Sequence, residues 1–133
     1  MRVVRNAGTD RVIDLVRPWL TAGHQLDLVT PALSLYALES VVKEIAEITR
    51  TRLLLPPEGT DLAFLGTEAD RAARNRMQSR WLARNCADWL DRKVETRRAG
   101  ASVPQGAMVL RDAEGNPFQA LLGSFGFTTD GLG

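Results

Sequence analysis

The sequence contains one cysteine and one histidine, and each count excludes a class of site. Because Cys86 is alone, an internal disulfide framework and a cysteine-based metal centre are both excluded. Because His24 is alone, a histidine-rich metal centre is excluded, as is any mechanism that needs two histidines from one chain. No glycine-rich nucleotide-binding loop of a known pattern is present either. We therefore expect neither a metal ion nor a cofactor.

Long apolar runs are also absent. The run at 53–55 is far too short to span a bilayer, and residues 1–5 lack the apolar core of a signal peptide. We therefore expect a cytoplasmic protein that does not contact the membrane. With 133 residues, 44% of them hydrophobic, the chain is long enough to bury a core without disulfide bonds or bound metal ions. We expect a single domain over 1–133, either complete or a fragment of a larger protein.

Positive charge is concentrated in one segment. The net charge is only +1, but residues 71–98 contain nine basic and three acidic side chains. The flanking segments 1–70 and 99–133 are both net acidic. Fifteen of the seventeen basic residues are arginine, whose guanidinium group binds phosphate through two parallel hydrogen bonds. The basic segment is therefore a candidate surface for binding a polyanion.

Four short apolar runs bounded by glycine, proline or polar clusters predict strands, and residues 94–98, in which charges are interleaved, are a candidate fifth strand. The two near the C-terminus flank a turn sequence typical of a hairpin, so we expect them to pair antiparallel. Helical spacing of apolar residues alternates with the earlier strands, which favours an α/β fold, a mixed β-sheet flanked by helices. The predicted strands are 26–30, 51–55, 94–98, 107–111 and 118–122.

The same spacing predicts three helices. Asn6 or Thr9 is a suitable cap for the first, and Pro18 should kink or shorten its end. Ser34 is placed to begin the second, whose apolar positions continue to Ile48. The third is expected to run from about 68 to about 93.

The third helix contains the clearest electrostatic pattern. Arg76, Arg80 and Arg84 are spaced by four residues, so they form one stripe along the helix. Leu82, Cys86 and Trp89 lie roughly opposite and are expected to face the core. A nucleic-acid backbone would relieve the repulsion between the three arginines. The alternative is a solvated helix surface, balanced by acidic groups elsewhere.

Other candidate residues have simpler interpretations. Trp81 adjoins the arginine stripe and is placed to stack on a base, but a partly buried helix tryptophan is the commoner case and is our expectation. Cys86 reads as a small core residue rather than a nucleophile. His24 lies in a helix–strand turn without an accompanying nucleophile motif, so we expect no catalytic role for it.

Four stretches in order along the chain resemble phospholipase D-like domains. The resemblance is closest to the single-motif type fused to superfamily 2 helicases and to restriction or defence enzymes. It implies one half of the phospholipase D fold and its fusion to a helicase or another domain. The stretches are LDLVTPALSLYALESV at 26–41, TRLLLP at 51–56, CADWLDRKVETRR at 86–98 and GAMVLRDAEGNPFQALLGSFGFTTDGL at 106–132.

The decisive motif positions depart from this family. The family's chemistry uses two H-x-K motifs that meet at a two-fold axis, one histidine as nucleophile and the other as general acid. Where H-x-K should stand, residues 103–107 read VPQGA, with Gln105 at the centre and neither histidine nor lysine. In the GSxN motif, Gly123 and Ser124 are kept, but Gly126 replaces the asparagine. Thr128 is also kept.

The resemblance therefore implies the scaffold without its activity. We expect a catalytically inactive phospholipase D-like module for nucleic-acid binding or assembly, in a bacterial helicase or defence system. The family's two-fold arrangement also implies a homodimer. Two alternatives stay open: a protein-interaction or dimerisation module that binds no nucleic acid, and a phosphodiesterase or nuclease completed by a partner.

Overall fold

A computed structural model describes residues 2–62, 65, 70, 79–123 and 126–132. Its centre is one five-stranded mixed β-sheet with helices packed on it, as the sequence pattern predicts. The α/β class is confirmed.

The strands lie in the spatial order β3-β2-β1-β4-β5. β1, β2 and β3 are mutually parallel, and β4 and β5 form an antiparallel hairpin whose first strand pairs with β1. The predicted hairpin is therefore confirmed, and each predicted strand exists with its ends shifted by at most two residues. The bounds are Gln25–Val29 (β1), Arg50–Leu55 (β2), Val94–Arg98 (β3), Gly106–Arg111 (β4) and Pro117–Gly123 (β5).

The first helix is shorter than its apolar pattern suggests. Five α-helical residues are followed by one 3-10 turn that contains Pro18, whose missing N–H group shortens the helix as expected. Asn6 adopts a left-handed backbone, and its Oδ1 accepts a hydrogen bond of 3.1 Å from the Val12 N–H at the helix start. The helices are Val12–Val16 (α1), Leu35–Ser40 (α2), Val42–Glu47 (α3), Ser79–Lys93 (α4) and Thr129–Leu132 (α5).

The predicted second helix is two helices. Ser34 caps α2 as expected, because its hydroxyl accepts hydrogen bonds from the backbone N–H groups of Tyr36 and Ala37. Val41 interrupts the helix, with φ of −127° and ψ of 14°. Two β-branched residues in succession, Val41 and Val42, lose side-chain freedom in a helix, so the break falls where helix propensity is low.

Burial alternates along the central strands, so the sheet has one buried face and one partly exposed face. On the buried face, Leu28 of β1 lies between Leu53 of β2 and Met108 of β4. The apolar run in β2 predicts cover on both faces, yet Leu54 remains partly exposed. The helices complete the core, and Cys86 of α4 is buried in it.

Candidate nucleic-acid interface

The outer surface of α4 exposes an aromatic ring beside a positive charge. Trp81 is 64% exposed, so the expectation that this tryptophan is partly buried is wrong. Arg84 follows three residues later, is exposed and forms no ion pair with any described residue. Residues three apart on a helix are neighbours, about 5–6 Å between their Cβ atoms. The indole and the guanidinium therefore lie side by side at the surface.

Only part of the arginine stripe can be placed. Arg76 lies outside the described residues. Arg80 lies within α4, but its side chain, like that of Leu82, is outside the described part of the structure. Arg84 is thus the one member of the stripe with a described side chain, and it faces solvent as the spacing predicts.

Further charges follow along α4 toward its C-terminal end. Asp88 comes one turn after Arg84 and is exposed. Arg92 and Lys93 lie in the last turn, where cations interact favourably with the helix dipole. Lys93 Nζ also donates a 2.8 Å hydrogen bond to the carbonyl oxygen of Ala46. Asp91, two turns after Arg84, is exposed as well, so the positive surface extends beyond the stripe with two acidic interruptions.

The inner face of α4 is apolar, as predicted. Burial raises the pKa of the Cys86 thiol to about 11, so the thiol is protonated at neutral pH and is a poor nucleophile. Trp89 is partly buried, and its indole N–H has no hydrogen-bond partner among the described residues. A cleft of about 280 Å³ lies beside it, between α4 and the α2–α3 pair. This face of α4 therefore contributes to the stability of the fold.

The motif positions suggested by the resemblance gather at one end of the sheet. Gly106 pairs with Gly123 across the β4–β5 hairpin, so Gln105 lies one residue before this pair. Gln105 is exposed, and Ser124 lies outside the described residues. The end of β1 is adjacent, because Val29 pairs with Ala107. The fold thus brings these positions together where the parallel strands end.

Residues 126–132, called the tail below, close this end of the sheet through hydrogen bonds. The buried hydroxyl of Thr30 accepts a 2.8 Å hydrogen bond from the Phe127 N–H and donates to the carbonyl of Ala32. The Phe127 carbonyl accepts from the Ser34 N–H at 2.8 Å. Phe127 is therefore tied to the loop after β1, and both of its backbone groups are already hydrogen-bonded.

The remaining motif residues have structural roles in this tail. The Thr128 hydroxyl accepts a 3.0 Å hydrogen bond from the Gly131 N–H in the short helix α5. Gly131 packs directly on the backbone of Gly126, where a Cβ atom at Gly131 would overlap the carbonyl oxygen. A Cβ at Gly126 would instead lie 3.6 Å from the Ala32 Cβ, an ordinary contact. The structure therefore has room for a Cβ atom at 126.

The described residues at this end of the sheet include no counterpart of the H-x-K motif, because residues 103–107 contain neither histidine nor lysine. His24 precedes β1, whereas the motif positions follow its far end, roughly 17 Å away at the usual rise of a strand. Its Nδ1 lies 2.8 Å from the Trp19 carbonyl oxygen, and its ring packs on Phe118. Among the described residues, no cluster of three histidine, cysteine or acidic side chains is placed to hold a metal ion.

An ion-pair network that the sequence patterns did not predict lies on the partly exposed face of the sheet. Asp27 Oδ1 and Oδ2 accept hydrogen bonds of 2.6 Å from Arg52 Nε and Nη2, and Arg111 Nε donates to Oδ2 at 2.8 Å. The Arg52 and Arg111 guanidinium groups hold the pKa of the Asp27 carboxyl below its usual value. The alternation of Asp27 with Leu26 and Leu28 indicates that its carboxylate lies on the more exposed face of β1. It does not indicate the partners of the carboxylate, because they come from strands distant in sequence.

The chain matches no protein-family model, no curated protein and no solved structure. Within the described ranges, no helix is long and apolar enough to cross a membrane.

Proposed function

We propose that this chain is a non-catalytic nucleic-acid-binding module, built on a phospholipase D-like half that has lost its phosphodiesterase chemistry. It binds the phosphate backbone through the arginine stripe of α4 (Arg76, Arg80 and Arg84), and Trp81 stacks on an unpaired base. The module serves in binding or assembly within a helicase or defence protein.

The exposed pair of Trp81 and Arg84 supports this proposal most directly. An indole that is 64% exposed in water costs free energy unless it has a partner, and an unpaired base offers one. The neighbouring guanidinium has no ion-pair partner among the described residues, so a phosphate can bind it without breaking a contact. A ring beside a cation is the combination that single-stranded nucleic acids require.

The end of the sheet supports the absence of catalysis. A phosphorus nucleophile and a general acid are both needed, and each contributes orders of magnitude in rate. The tail uses Thr30 and Thr128 in hydrogen bonds to its own backbone, and Gln105 is not a nucleophile for phosphorus. We expect no turnover of a bis-aryl phosphate or of single-stranded DNA, with or without divalent metal ions. Turnover that is abolished by substitutions within 103–126 would contradict this.

The binding experiment is a salt titration with labelled oligonucleotides. Each phosphate neutralised adds about −0.9 to the slope of log K against log salt concentration for duplex DNA, and about −0.7 for single strands. We expect weak, sequence-independent binding by the native chain. The triple variant R76A/R80A/R84A should flatten the slope by roughly two to three units.

A second triple variant controls for net charge. R5A/R11A/R17A removes three positive charges from the N-terminal part of the chain and should leave the slope unchanged. Both variants should retain the native circular dichroism spectrum, because alanine favours helices and the removed side chains are polar. No binding at low salt, or equal slopes for the two triple variants, would overturn the proposal.

A further inference from the structure

One edge of the sheet has no partner among the described residues. β5 pairs with β4 on one side only, and none of its described backbone groups bonds to another segment on the other side. The strand has seven residues, carries no charge and has proline only at its first position. Leu122 is 74% exposed at this edge. Such an edge is a template for adding another strand.

The opposite edge is protected by its side chains. β3 carries Glu95, Arg97 and Arg98, all exposed, and charged side chains on an edge oppose the addition of a strand. Strand addition is therefore expected at β5 and not at β3.

A groove runs along the β5 edge. Its volume is about 1170 Å³, and it lies between residues 119–123 and the N-terminal residues 2–6. The consecutive residues 119–123 of β5 all border the groove. Because successive side chains of a strand point to opposite faces of the sheet, the groove follows the backbone edge of β5 and not one face alone. Leu15 and Trp19 form an apolar wall on the helix side.

The shape and charge of the groove indicate what it accepts. The N-terminal segment bounds its far side, which favours one extended chain over the edge of a second sheet. Asn6 fixes that segment, because its Nδ2 donates a 2.9 Å hydrogen bond to the Gly131 carbonyl. The Arg5 backbone N–H and the Arg2 guanidinium both bond to the Asp10 carboxylate, which also interacts with the positive charge of the exposed Arg5 side chain. Two arginines therefore face one carboxylate, so this group gives the rim one net positive charge.

We propose that the free edge of β5 binds an extended peptide segment of a partner protein as a sixth strand. The segment alternates apolar residues, which face Leu15 and Trp19, with polar residues that include acidic ones near Arg5. Backbone hydrogen bonds supply the binding energy, and the alternate side chains supply specificity. The proposal does not depend on nucleic-acid binding, since the groove and the outer surface of α4 share no described residue.

The test uses a capped seven-residue peptide that alternates valine with glutamate and threonine. Two control peptides accompany it: one with lysine in place of glutamate, and one N-methylated at alternate residues, which removes half of the backbone donors. We measure affinity by fluorescence anisotropy and protection of the β5 amides by hydrogen exchange. We expect saturable binding of the first peptide with new protection confined to β5, and at least about tenfold weaker binding of both controls.

Two matched variants of the protein locate the site. Leu122→Lys places a charge on the β5 edge and should weaken binding by about tenfold or more, whereas Thr96→Lys places the same charge on β3 and should leave it unchanged. Arg5→Ala should reduce the preference for the glutamate peptide over the lysine peptide. Binding without protection of β5, equal binding of the N-methylated peptide, or equal effects of the two lysine variants would overturn the proposal. A concentration-dependent dimer that Leu122→Lys dissociates would also overturn it, by identifying the occupant as a second copy.

Discussion

The tail at the end of the sheet and the outer surface of α4 are built in opposite ways. In the tail, the buried Phe127 is hydrogen-bonded to Thr30, and no charged group takes part in these bonds. The surface of α4 exposes Trp81 and Arg84, which form no hydrogen bond or ion pair with the described residues. The resemblance to phospholipase D-like domains is most specific in the tail, whereas the charge pattern is strongest in α4. On the proposed function, the residues that resemble the scaffold and the residues that bind nucleic acid therefore lie in different parts of the molecule.

This difference makes a separation of effects testable. Substitutions in the tail should lower the free energy of unfolding and leave the salt dependence of nucleic-acid binding unchanged. Substitutions on the surface of α4 should change the salt dependence of nucleic-acid binding and leave the free energy of unfolding unchanged.

The largest effect on stability is expected from Gly131→Ala. The new Cβ would overlap the Gly126 carbonyl oxygen and lie 2.8 Å from the Gly126 nitrogen, so backbone must move. We expect a loss of about 3 kcal/mol in the free energy of unfolding, measured by urea denaturation. Gly126→Ala is the control, because its Cβ makes only ordinary contacts at 3.6 Å, and it should cost less than about 1 kcal/mol. Equal losses would show that the two backbones separate easily.

A smaller loss of stability is expected from Thr30→Val. Valine keeps the shape but removes the hydroxyl oxygen that accepts the 2.8 Å hydrogen bond from the Phe127 N–H, which then keeps only its longer hydrogen bond, 3.2 Å, to the Ala32 carbonyl oxygen. The cost should be about 1 kcal/mol. Thr51→Val is a matched control, since Thr51 is equally buried in β2 but does not bond to the tail. If the two variants unfold at the same urea concentration, the hydroxyl of Thr30 does not hold the tail.

Trp81→Ala should affect binding alone. Loss of one stacked base costs about 1.4 kcal/mol, or a factor of about ten in affinity for single-stranded DNA, with a smaller effect on duplex DNA. Trp81→Phe keeps an aromatic face and should retain most of the affinity. Unfolding by urea should be unchanged in both variants, because the ring is exposed. Equal affinities for Trp81→Ala and the native chain would leave the ring without a role in binding.

Local patterns in the sequence predicted most of the fold. Alternating breakers and apolar runs located all five strands, and the hairpin turn predicted the pairing of β4 with β5. Ser34 was recognised as a cap because the hydrogen bond it accepts lies within one turn. The interruption at Val41 was missed because a long apolar pattern continues through it.

The candidate site was predicted less completely, because exposure and long-range pairing depend on the whole fold. The helix wheel placed Arg84 at the surface and Cys86 in the core, but Trp81 lies between the two faces of α4, so its exposure depends on what packs beside the helix. The free edge of β5 depends on the order of strands in space. The contact of Asp27 with Arg111 joins residues 84 positions apart, which no local pattern reveals.

The smallest expected effect concerns the partly exposed face of the sheet, which belongs to neither of the two contrasted regions. Hydrogen bonds from Arg52 and then Arg111 lower the pKa of Asp27 in the folded state. A carboxyl with a lowered folded pKa stabilises the fold at pH values above its unfolded pKa, about 3.9, and that contribution is lost as the pH falls through the folded pKa.

Asp27→Asn should therefore lower the free energy of unfolding at pH 7 by less than about 1 kcal/mol, because water still reaches the pair. The difference from the native chain should shrink as the pH falls below 4 in urea titrations. Binding of nucleic acid should not change with the substitution, since arginine stays charged throughout and α4 does not contain the pair. A difference that persists at pH 2 would show that Asp27 acts through packing and not through its charge.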